Sequence, residues 1–260
     1  ALDSATRTPL QAYEEIGVQS GDVWRQLNTS VLQIENEYYG FIRPKQIARS
    51  GERPISALKR RGVQYVEIRS LDVSPLDPAG VSQNEMRFLE AFLILCMLSE
   101  SPRMSDEEAR EYDENHLLAA VRGREPGLEM TIDGRRRSLQ AWGAGIIDSM
   151  RPICELLDSG QSDPCYRASL DLQMAKIEDP ERTPSARILA TMAERESSFF
   201  EFAMDLSTSY RDYFRALPPI EPSRLKRFEA EVAASLQRQK DIESADELPF
   251  EEFLQRYYAG

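Results

Sequence analysis

A carboxylate and a guanidinium lie two residues apart, at Glu67 and Arg69, inside a stretch in which apolar and polar residues alternate (residues 63–73). Alternation with many β-branched and aromatic residues predicts a β-strand, and side chains two apart in a strand share a face. Glu67 and Arg69 are therefore predicted to point the same way, while Val66 and Ile68 face a core. Such a pair suits a site for a metal ion and a phosphate, because carboxylate oxygens bind hard cations and the arginine fork binds phosphate oxygens. The alternative is a cross-strand salt bridge on a solvated sheet face.

A second alternating stretch precedes this strand. Residues 31–39 place Leu32, Ile34 and Tyr38 on one predicted face and polar residues on the other. The pattern predicts another strand with one apolar face and one face that can carry chemistry. The residues predicted on that second face are Gln33, Glu35, Glu37 and Tyr39.

The segment between the two predicted strands is basic. Arg43, Lys45 and Arg49 are predicted to lie in one loop that ends at the turn signal Ser50-Gly51. Two interpretations of this loop stay open: it faces a nucleotide or a substrate carboxylate, or it is simply solvated.

After Asp72 the pattern becomes helical. Ser82 with Glu85, and Ser105 with Glu108, form capping-box patterns that predict the starts of two helices. Residues 130–134 predict a short hairpin, and the apolar stripes of the helices are interpreted as core. The other predicted helices cover residues 10–16, 54–61, 139–157, 164–177, 184–217 and 223–242, with a short amphipathic helix at the end.

Composition excludes several classes of function. The 260 residues are 41% hydrophobic, which is enough for a packed core, and the net charge of −12 argues against a general nucleic-acid or anionic-membrane surface. No apolar run approaches the roughly 20 residues that a membrane-spanning helix needs. No signal peptide is visible, so we expect a cytoplasmic location.

The cysteines and the single histidine limit the metal chemistry. The chain has three cysteines, an odd number, and no CxxC motif: they are Cys96, Cys154 and Cys165. This predicts buried thiols in a reducing compartment and no disulfide framework. His116 is the only histidine, so a zinc site or a histidine-based triad is not expected. Any metal site must therefore use carboxylates, which indicates Mg²⁺ or Mn²⁺.

Several blocks of residues occur in a fixed order along the chain. They are LQIENExY at 32–39, IRPK at 42–45, RSGE at 49–52, YxExRSLD at 65–72, RFL at 87–89, PGL at 126–128 and SARIL at 185–189. In these blocks the sequence resembles a known family, the glutamate–cysteine ligases of proteobacteria. The resemblance covers most of the chain, weakens beyond about residue 191, and corresponds to the C-terminal half of the family enzyme.

The resemblance implies a fold and a reaction. It implies an α+β, mostly helical chain whose few strands belong to a glutamine-synthetase-like antiparallel catalytic sheet backed by helices. Residues 1–75 would form the strand-containing part, residues 76–260 the helical part packed on it, and an N-terminal half would complete the sheet. The implied reaction is ATP-dependent ligation of the γ-carboxylate of L-glutamate to L-cysteine through a γ-glutamyl phosphate, the first step of glutathione biosynthesis.

The resemblance also implies roles for single residues. Glu67 corresponds to a metal-ligating glutamate for Mg²⁺ or Mn²⁺, Arg69 to an arginine that contacts the transferring phosphate, and Tyr39 to a tyrosine lining the cysteine subsite. For Arg43, Lys45 and Arg49 both interpretations of the basic loop stay open, a nucleotide or substrate contact and a solvated loop.

Two alternatives remain open from the sequence. One is another ATP-dependent carboxylate–amine ligase of the same fold with a different amine acceptor. The other is a binding or regulatory role for this chain in isolation. Two or three strands are too few for an independent sheet, so we expect the strands to pair with another segment or to leave an open edge beside Glu67. Most of the family's metal ligands lie in the other half, so the isolated chain is expected to be inactive.

Overall fold

The structure is a computed structural model that describes residues 2–259, and it is 59% helical with a few short antiparallel strand pairs. The α+β, mostly helical fold class is therefore confirmed. The chain divides into two compact units, one formed by the part up to Asp72 together with the part from Pro218 onward, the other by Val73–Leu217. The last two helices thus belong to the strand-containing unit, which differs from the expected division into 1–75 and 76–260.

The first unit carries four short strands and five helices among its described residues. Its strands form two separate antiparallel pairs, Gln19–Ser20 with Val23–Trp24 and Ile42–Lys45 with Tyr65–Ile68. A 3₁₀ turn occupies Glu35–Glu37, between the two pairs. The elements are α1 (Leu2–Ala5), α2 (Gln11–Ile16), β1 (Gln19–Ser20), β2 (Val23–Trp24), β3 (Ile42–Lys45), α3 (Pro54–Arg61), β4 (Tyr65–Ile68), α10 (Pro222–Ser244) and α11 (Phe250–Ala259).

The second unit is helical, with one hairpin. Its core lies between three helices and includes Met150, Cys154 and Leu170, each at most 1% exposed. Both predicted capping boxes, at Ser82 and Ser105, are present with reciprocal hydrogen bonds. The elements are α4 (Gln83–Leu98), α5 (Asp106–Arg122), β5 (Glu129–Ile132), β6 (Arg135–Ser138), α6 (Leu139–Asp158), α7 (Cys165–Glu178), α8 (Pro184–Glu194) and α9 (Phe199–Ala216).

The strand predicted over residues 31–39 is wrong. This segment forms bends and the 3₁₀ turn instead, because its polar side chains bond locally to the backbone and replace a ladder. The Gln33 side-chain oxygen accepts from the Leu27 amide at 2.8 Å, and Glu37 Oε2 accepts from the Gln33 amide at 2.7 Å. The opposite error occurs just after it, where the predicted basic loop contains β3.

The single helix predicted over residues 184–217 is also wrong. It is two helices, and Glu196 between them has a φ of 51°, in the left-handed region that ends a helix. The second helix starts with a capping box in which Ser198 and Glu201 exchange hydrogen bonds. The same Ser-x-x-Glu pattern that marks the start of α4 was therefore present here as well.

Three predictions of burial are corrected. Val66 is 43% exposed rather than facing a core, and the apolar residues of α10 are exposed, with none buried along the helix. The Cys96 thiol is exposed, whereas Cys154 is buried as predicted. No helix among residues 2–259 is long and apolar enough to cross a membrane. The cytoplasmic location stays a prediction.

Candidate functional site

The β3–β4 pair brings most of the predicted site residues onto one face. The two strands are antiparallel with Arg43 opposite Glu67 and Lys45 opposite Tyr65. Because alternate residues of a strand share a face, the side chains of Arg43, Lys45 and Glu67 lie on the same side of this ribbon. Arg69, one residue past the end of β4, continues that face, and its amide donates to the Phe41 carbonyl at 2.7 Å. We call Tyr39, Arg43, Lys45, Glu67 and Arg69 the ribbon cluster.

Glu67 is the only carboxylate of the ribbon cluster and faces two cations. Arg69 Nε lies 3.0 Å from Oε1 and Lys45 Nζ lies 3.0 Å from Oε2. The adjoining Arg69, and then Lys45, hold the pKa of the Glu67 carboxyl below its usual value. The carboxylate is therefore charged at neutral pH, as either a salt bridge or a metal ligand requires.

The Oε2 atom of Glu67 is the carboxylate oxygen that a further ligand would contact. The Glu67 side chain is 34% exposed, yet this atom is shielded from solvent, and Lys45 Nζ is its neighbour at 3.0 Å. The Lys45 ammonium compensates the charge of this oxygen, so a metal ion or other ligand of Oε2 would have to displace Lys45.

Arg69 and Tyr39 contact each other. The guanidinium lies 5.0 Å from the centre of the Tyr39 ring, which is the range of a cation–π interaction. Tyr39 itself is 71% exposed, so the rest of its ring faces solvent. Arg69 is thus held from two sides, by the Glu67 carboxylate and by the aromatic ring.

Arg49 does not join the ribbon cluster. Its side chain is exposed, and the turn that carries it is closed by the Glu52 carboxylate, which accepts from the Arg49 amide at 2.8 Å. Hydrogen bonds from Arg61 and from the Arg49 amide lower the pKa of Glu52 to about 2. Glu52 therefore organises the RSGE block internally, and no contact links Arg49 to Glu67.

A metal ion fits Glu67 only as one ligand of several. Among the described residues, no group of three or more His, Cys, Asp or Glu side chains could hold a metal ion. Glu67 Oε2, a carboxylate oxygen, is the kind of donor that Mg²⁺ and Mn²⁺ prefer. Residues 2–259 therefore offer a metal one oxygen ligand at the ribbon cluster and need further ligands from elsewhere.

A buried ion pair lies beside the ribbon cluster and was missed by sequence reasoning. Glu35 and Arg53 are 1% and 5% exposed, and Arg53 Nε and Nη2 both lie 2.9 Å from Glu35 Oε1. Glu35 was predicted on an outward or supporting face of a strand, and no role was predicted for Arg53. No local sequence pattern reveals the pair, because its members are 18 positions apart and belong to segments with no common helix or strand repeat.

The free edge of β4 bears on the completeness of the site. Among residues 2–259, β3 is the one strand that pairs with β4. The edge beside Glu67 is thus open to another strand, as was expected from the small number of strands. A two-stranded ribbon is marginal alone, so this edge favours pairing with further chain.

Comparisons with known proteins give the chain its family resemblance. The family model described as glutamate–cysteine ligase matches residues 1–119. The glutamate–cysteine ligase of Azotobacter vinelandii is 44% identical over the whole chain, and that of Pseudomonas fluorescens is 39% identical; each match covers 49% of the relative. A solved 2.0 Å structure, the glutamate–cysteine ligase of Francisella tularensis in complex with AMP, has a TM-score of 0.88 at 31% identity, covering 99% of this chain and 51% of that one.

The matches confirm the resemblance seen in the sequence. The chain is related in sequence and fold to the glutamate–cysteine ligases, and it spans about half the length of the relatives it matches, corresponding to their C-terminal half. The resemblance to ligases that include an AMP complex supports the fold class given above.

Proposed function

We propose that this chain is the C-terminal half of an ATP-dependent glutamate–cysteine ligase. The proposed reaction transfers the γ-phosphoryl group of ATP to the γ-carboxylate of L-glutamate, and the amine of L-cysteine then displaces phosphate to give γ-glutamylcysteine. The observation that carries the proposal is the ribbon cluster, in which one carboxylate and three cations share one face of the β3–β4 ribbon and the Tyr39 ring packs against Arg69. The relatives' shared name supports the choice of substrates.

Arg69 is proposed to contact the transferring phosphoryl group. Its Nε is used by Glu67, and among the described residues its two terminal amino groups make no hydrogen bond. They can therefore bind two phosphate oxygens as a planar fork. Phosphoryl transfer is accelerated mainly by positioning and charge neutralisation, which is what a guanidinium fixed by Glu67 and Tyr39 supplies.

Glu67 is proposed to hold Mg²⁺ or Mn²⁺ through Oε2. When bound, such an ion supplies positive charge to the phosphates. Lys45 lies at the same oxygen, so its ammonium would move aside or turn to an anionic substrate when the ion binds. Arg43, on the same face, is proposed as a second cation that neutralises charge on the transferring phosphoryl group of the nucleotide.

Tyr39 is proposed to line the cysteine subsite. The ring is 71% exposed although it contacts Arg69, so one side of it can pack against a small thiol-bearing substrate. The choice of amine acceptor depends on this residue and on groups outside residues 1–260. Testing cysteine against other small amino acids distinguishes the proposed ligase from another carboxylate–amine ligase of the same fold.

The proposal is tested with a joined protein, in which residues 1–260 follow the N-terminal half of the Azotobacter relative. We expect glutamate- and cysteine-dependent ADP release from the joined protein, and none from residues 1–260 alone, because one carboxylate cannot hold several metal ions. Purified residues 1–260 that release ADP with both amino acids would contradict the half-enzyme proposal. A joined protein that is folded, binds ATP and still makes no γ-glutamylcysteine would contradict the proposed reaction.

A further inference from the structure

The turn that precedes the ribbon cluster is held by the last helix of the chain. The Tyr258 hydroxyl donates to the Gln33 backbone carbonyl at 2.7 Å. It accepts a hydrogen bond from the side-chain amide (Nδ2) of Asn28 at 2.6 Å. The same Nδ2 group of Asn28 also donates to the Gln33 carbonyl at 2.9 Å. Gln33, two residues before the Glu35–Glu37 turn, is thus fixed to α11 through partly buried polar contacts.

Arg53 holds the next part of the same turn. Its guanidinium clasps Glu35 Oε1 and donates to the Thr6 hydroxyl at 3.1 Å. The ring centres of Tyr257 and Tyr258 lie 6.0 and 5.8 Å from it, so two aromatic faces cover the cation. Because the pair is almost fully buried and multiply bonded, its geometry is fixed in a way that an exposed pair's is not.

The buried pair connects to the ribbon cluster through one backbone atom. The Glu35 carbonyl accepts a hydrogen bond from Arg43 Nη2 at 3.3 Å. Arg43 lies opposite Glu67 in the β3–β4 register. The side chain of Glu35 is therefore held from one side by Arg53, while its carbonyl holds Arg43 on the other.

We propose that Arg53 is a positioning residue for the ligase reaction, acting through the Glu35 turn to hold Arg43 on the face of the ribbon cluster. This inference rests on the proposed function. It assigns no contact with substrate to Arg53, which is buried, and it makes the last helix part of the support of the site. The expected consequence of losing Arg53 is a loose Arg43 guanidinium, and hence a slower chemical step rather than a failure to bind substrates.

The first test does not depend on activity and uses residues 1–260. The Nε–H signal of Arg43 is followed by NMR relaxation in the wild type, in Arg53→Met and in Arg60→Met. Arg60 pairs with the Glu52 carboxylate while 65% exposed, so it is the matched control. We expect Arg43 to become mobile on the picosecond–nanosecond timescale in Arg53→Met and to stay ordered in Arg60→Met. An equally ordered Arg43 in all three proteins would overturn the proposal.

If Arg53→Met does not fold, a milder variant, Tyr258→Phe, tests the same support. Tyr258→Phe removes the hydroxyl contacts to Gln33 and Asn28 but keeps the ring over Arg53. It is expected to give the same change in Arg43 mobility to a smaller extent. A folded Tyr258→Phe protein with an unchanged Arg43 signal would count against α11 as part of the support.

The second test is a double-mutant cycle in the joined protein. Arg53→Met is expected to lower kcat about tenfold with the KM values for ATP and glutamate little changed. If Arg53 acts through Arg43, adding Arg53→Met to Arg43→Lys lowers kcat little further. Multiplicative losses would overturn the proposal while leaving the ligase assignment intact, whereas an inactive wild-type joined protein would count against the ligase assignment and leave the NMR result to decide the role of Arg53.

Discussion

Two sets of charged groups lie close together in the first unit, and they differ in burial and in the groups that surround them. The Glu35–Arg53 pair is buried, and its members also contact Thr6 and two tyrosines. The Glu67 set is partly exposed, with a cation at each carboxylate oxygen. A pair that is shielded from solvent fixes one geometry, whereas a partly exposed set of charges can admit a ligand. Of the two carboxylates, Glu67 is therefore the one suited to bind a ligand.

Breaking the buried set should have the largest effect on stability. Glu35→Gln leaves the Arg53 charge buried without its carboxylate, and we expect a loss of about 3–5 kcal/mol in the free energy of unfolding. Urea unfolding of residues 1–260 measures this, with Glu67→Gln as the matched control because it also removes a carboxylate from an ion pair. A loss below about 1 kcal/mol for Glu35→Gln would show that the buried pair is not a structural element.

Glu67→Gln should have the largest effect on turnover. It keeps the size of the side chain but removes its charge and weakens its oxygen as a metal ligand. In the joined protein we expect kcat to fall at least ~100-fold, with a higher requirement for Mg²⁺, which is typical for loss of an electrostatic group that contacts the reacting atoms. Near-normal ADP release at ordinary Mg²⁺ would restore the interpretation of Glu67 as a surface salt bridge.

Arg69→Lys keeps the positive charge of the side chain but loses the planar fork of the guanidinium. We expect kcat to fall about tenfold, the equivalent of one charge-assisted hydrogen bond, with the KM for glutamate little changed. The unfolding free energy should change little, because the Arg69–Glu67 pair is partly exposed. A variant that turns over normally but unfolds more easily would assign Arg69 to the structural class of Arg53.

The smallest effect is expected at Tyr39. Tyr39→Ala should raise the KM for cysteine more than the KM for ATP, by a few-fold, because the ring contributes packing and a cation–π contact worth about 0.5–1 kcal/mol at an exposed site. Tyr39→Phe keeps the ring over Arg69 and reports the hydroxyl alone. Equal changes in the KM values of ATP, glutamate and cysteine would indicate a general effect on folding and not a subsite.

The sequence predicted the local part of this site and missed the part formed over distance. The shared face of Glu67 and Arg69 follows from strand periodicity, which needs only positions two apart. The partner strand was hidden by Pro44, because proline lacks the amide of a ladder and is usual in loops, although it is tolerated on an edge strand such as β3. Lys45 was therefore predicted in a loop, when it lies across from Tyr65 and reaches Glu67.

The Glu35 turn shows why an alternating pattern is insufficient. Residues 31–39 have the period of a strand, but side-chain amides and carboxylates satisfy the local backbone, and Glu35 turns inward to Arg53. Neither the inward turn nor the contact with Tyr258 has a signal in the neighbouring sequence. Contacts between side chains of distant segments depend on tertiary packing. Such contacts leave no repeating pattern of residues that a single sequence would show.

The most direct test of the difference between the two sets is Mn²⁺ binding to the joined protein, followed by the electron paramagnetic resonance signal of free Mn²⁺. Glu67→Gln is predicted to weaken Mn²⁺ binding by about tenfold or more, while Glu35→Gln, measured per folded molecule, leaves it unchanged. The unfolding free energies of the same two variants are predicted to show the reverse order. Wild-type Mn²⁺ affinity in Glu67→Gln, or an equal loss of affinity in both variants, would contradict the assignment of Glu67 as the ligand-binding carboxylate.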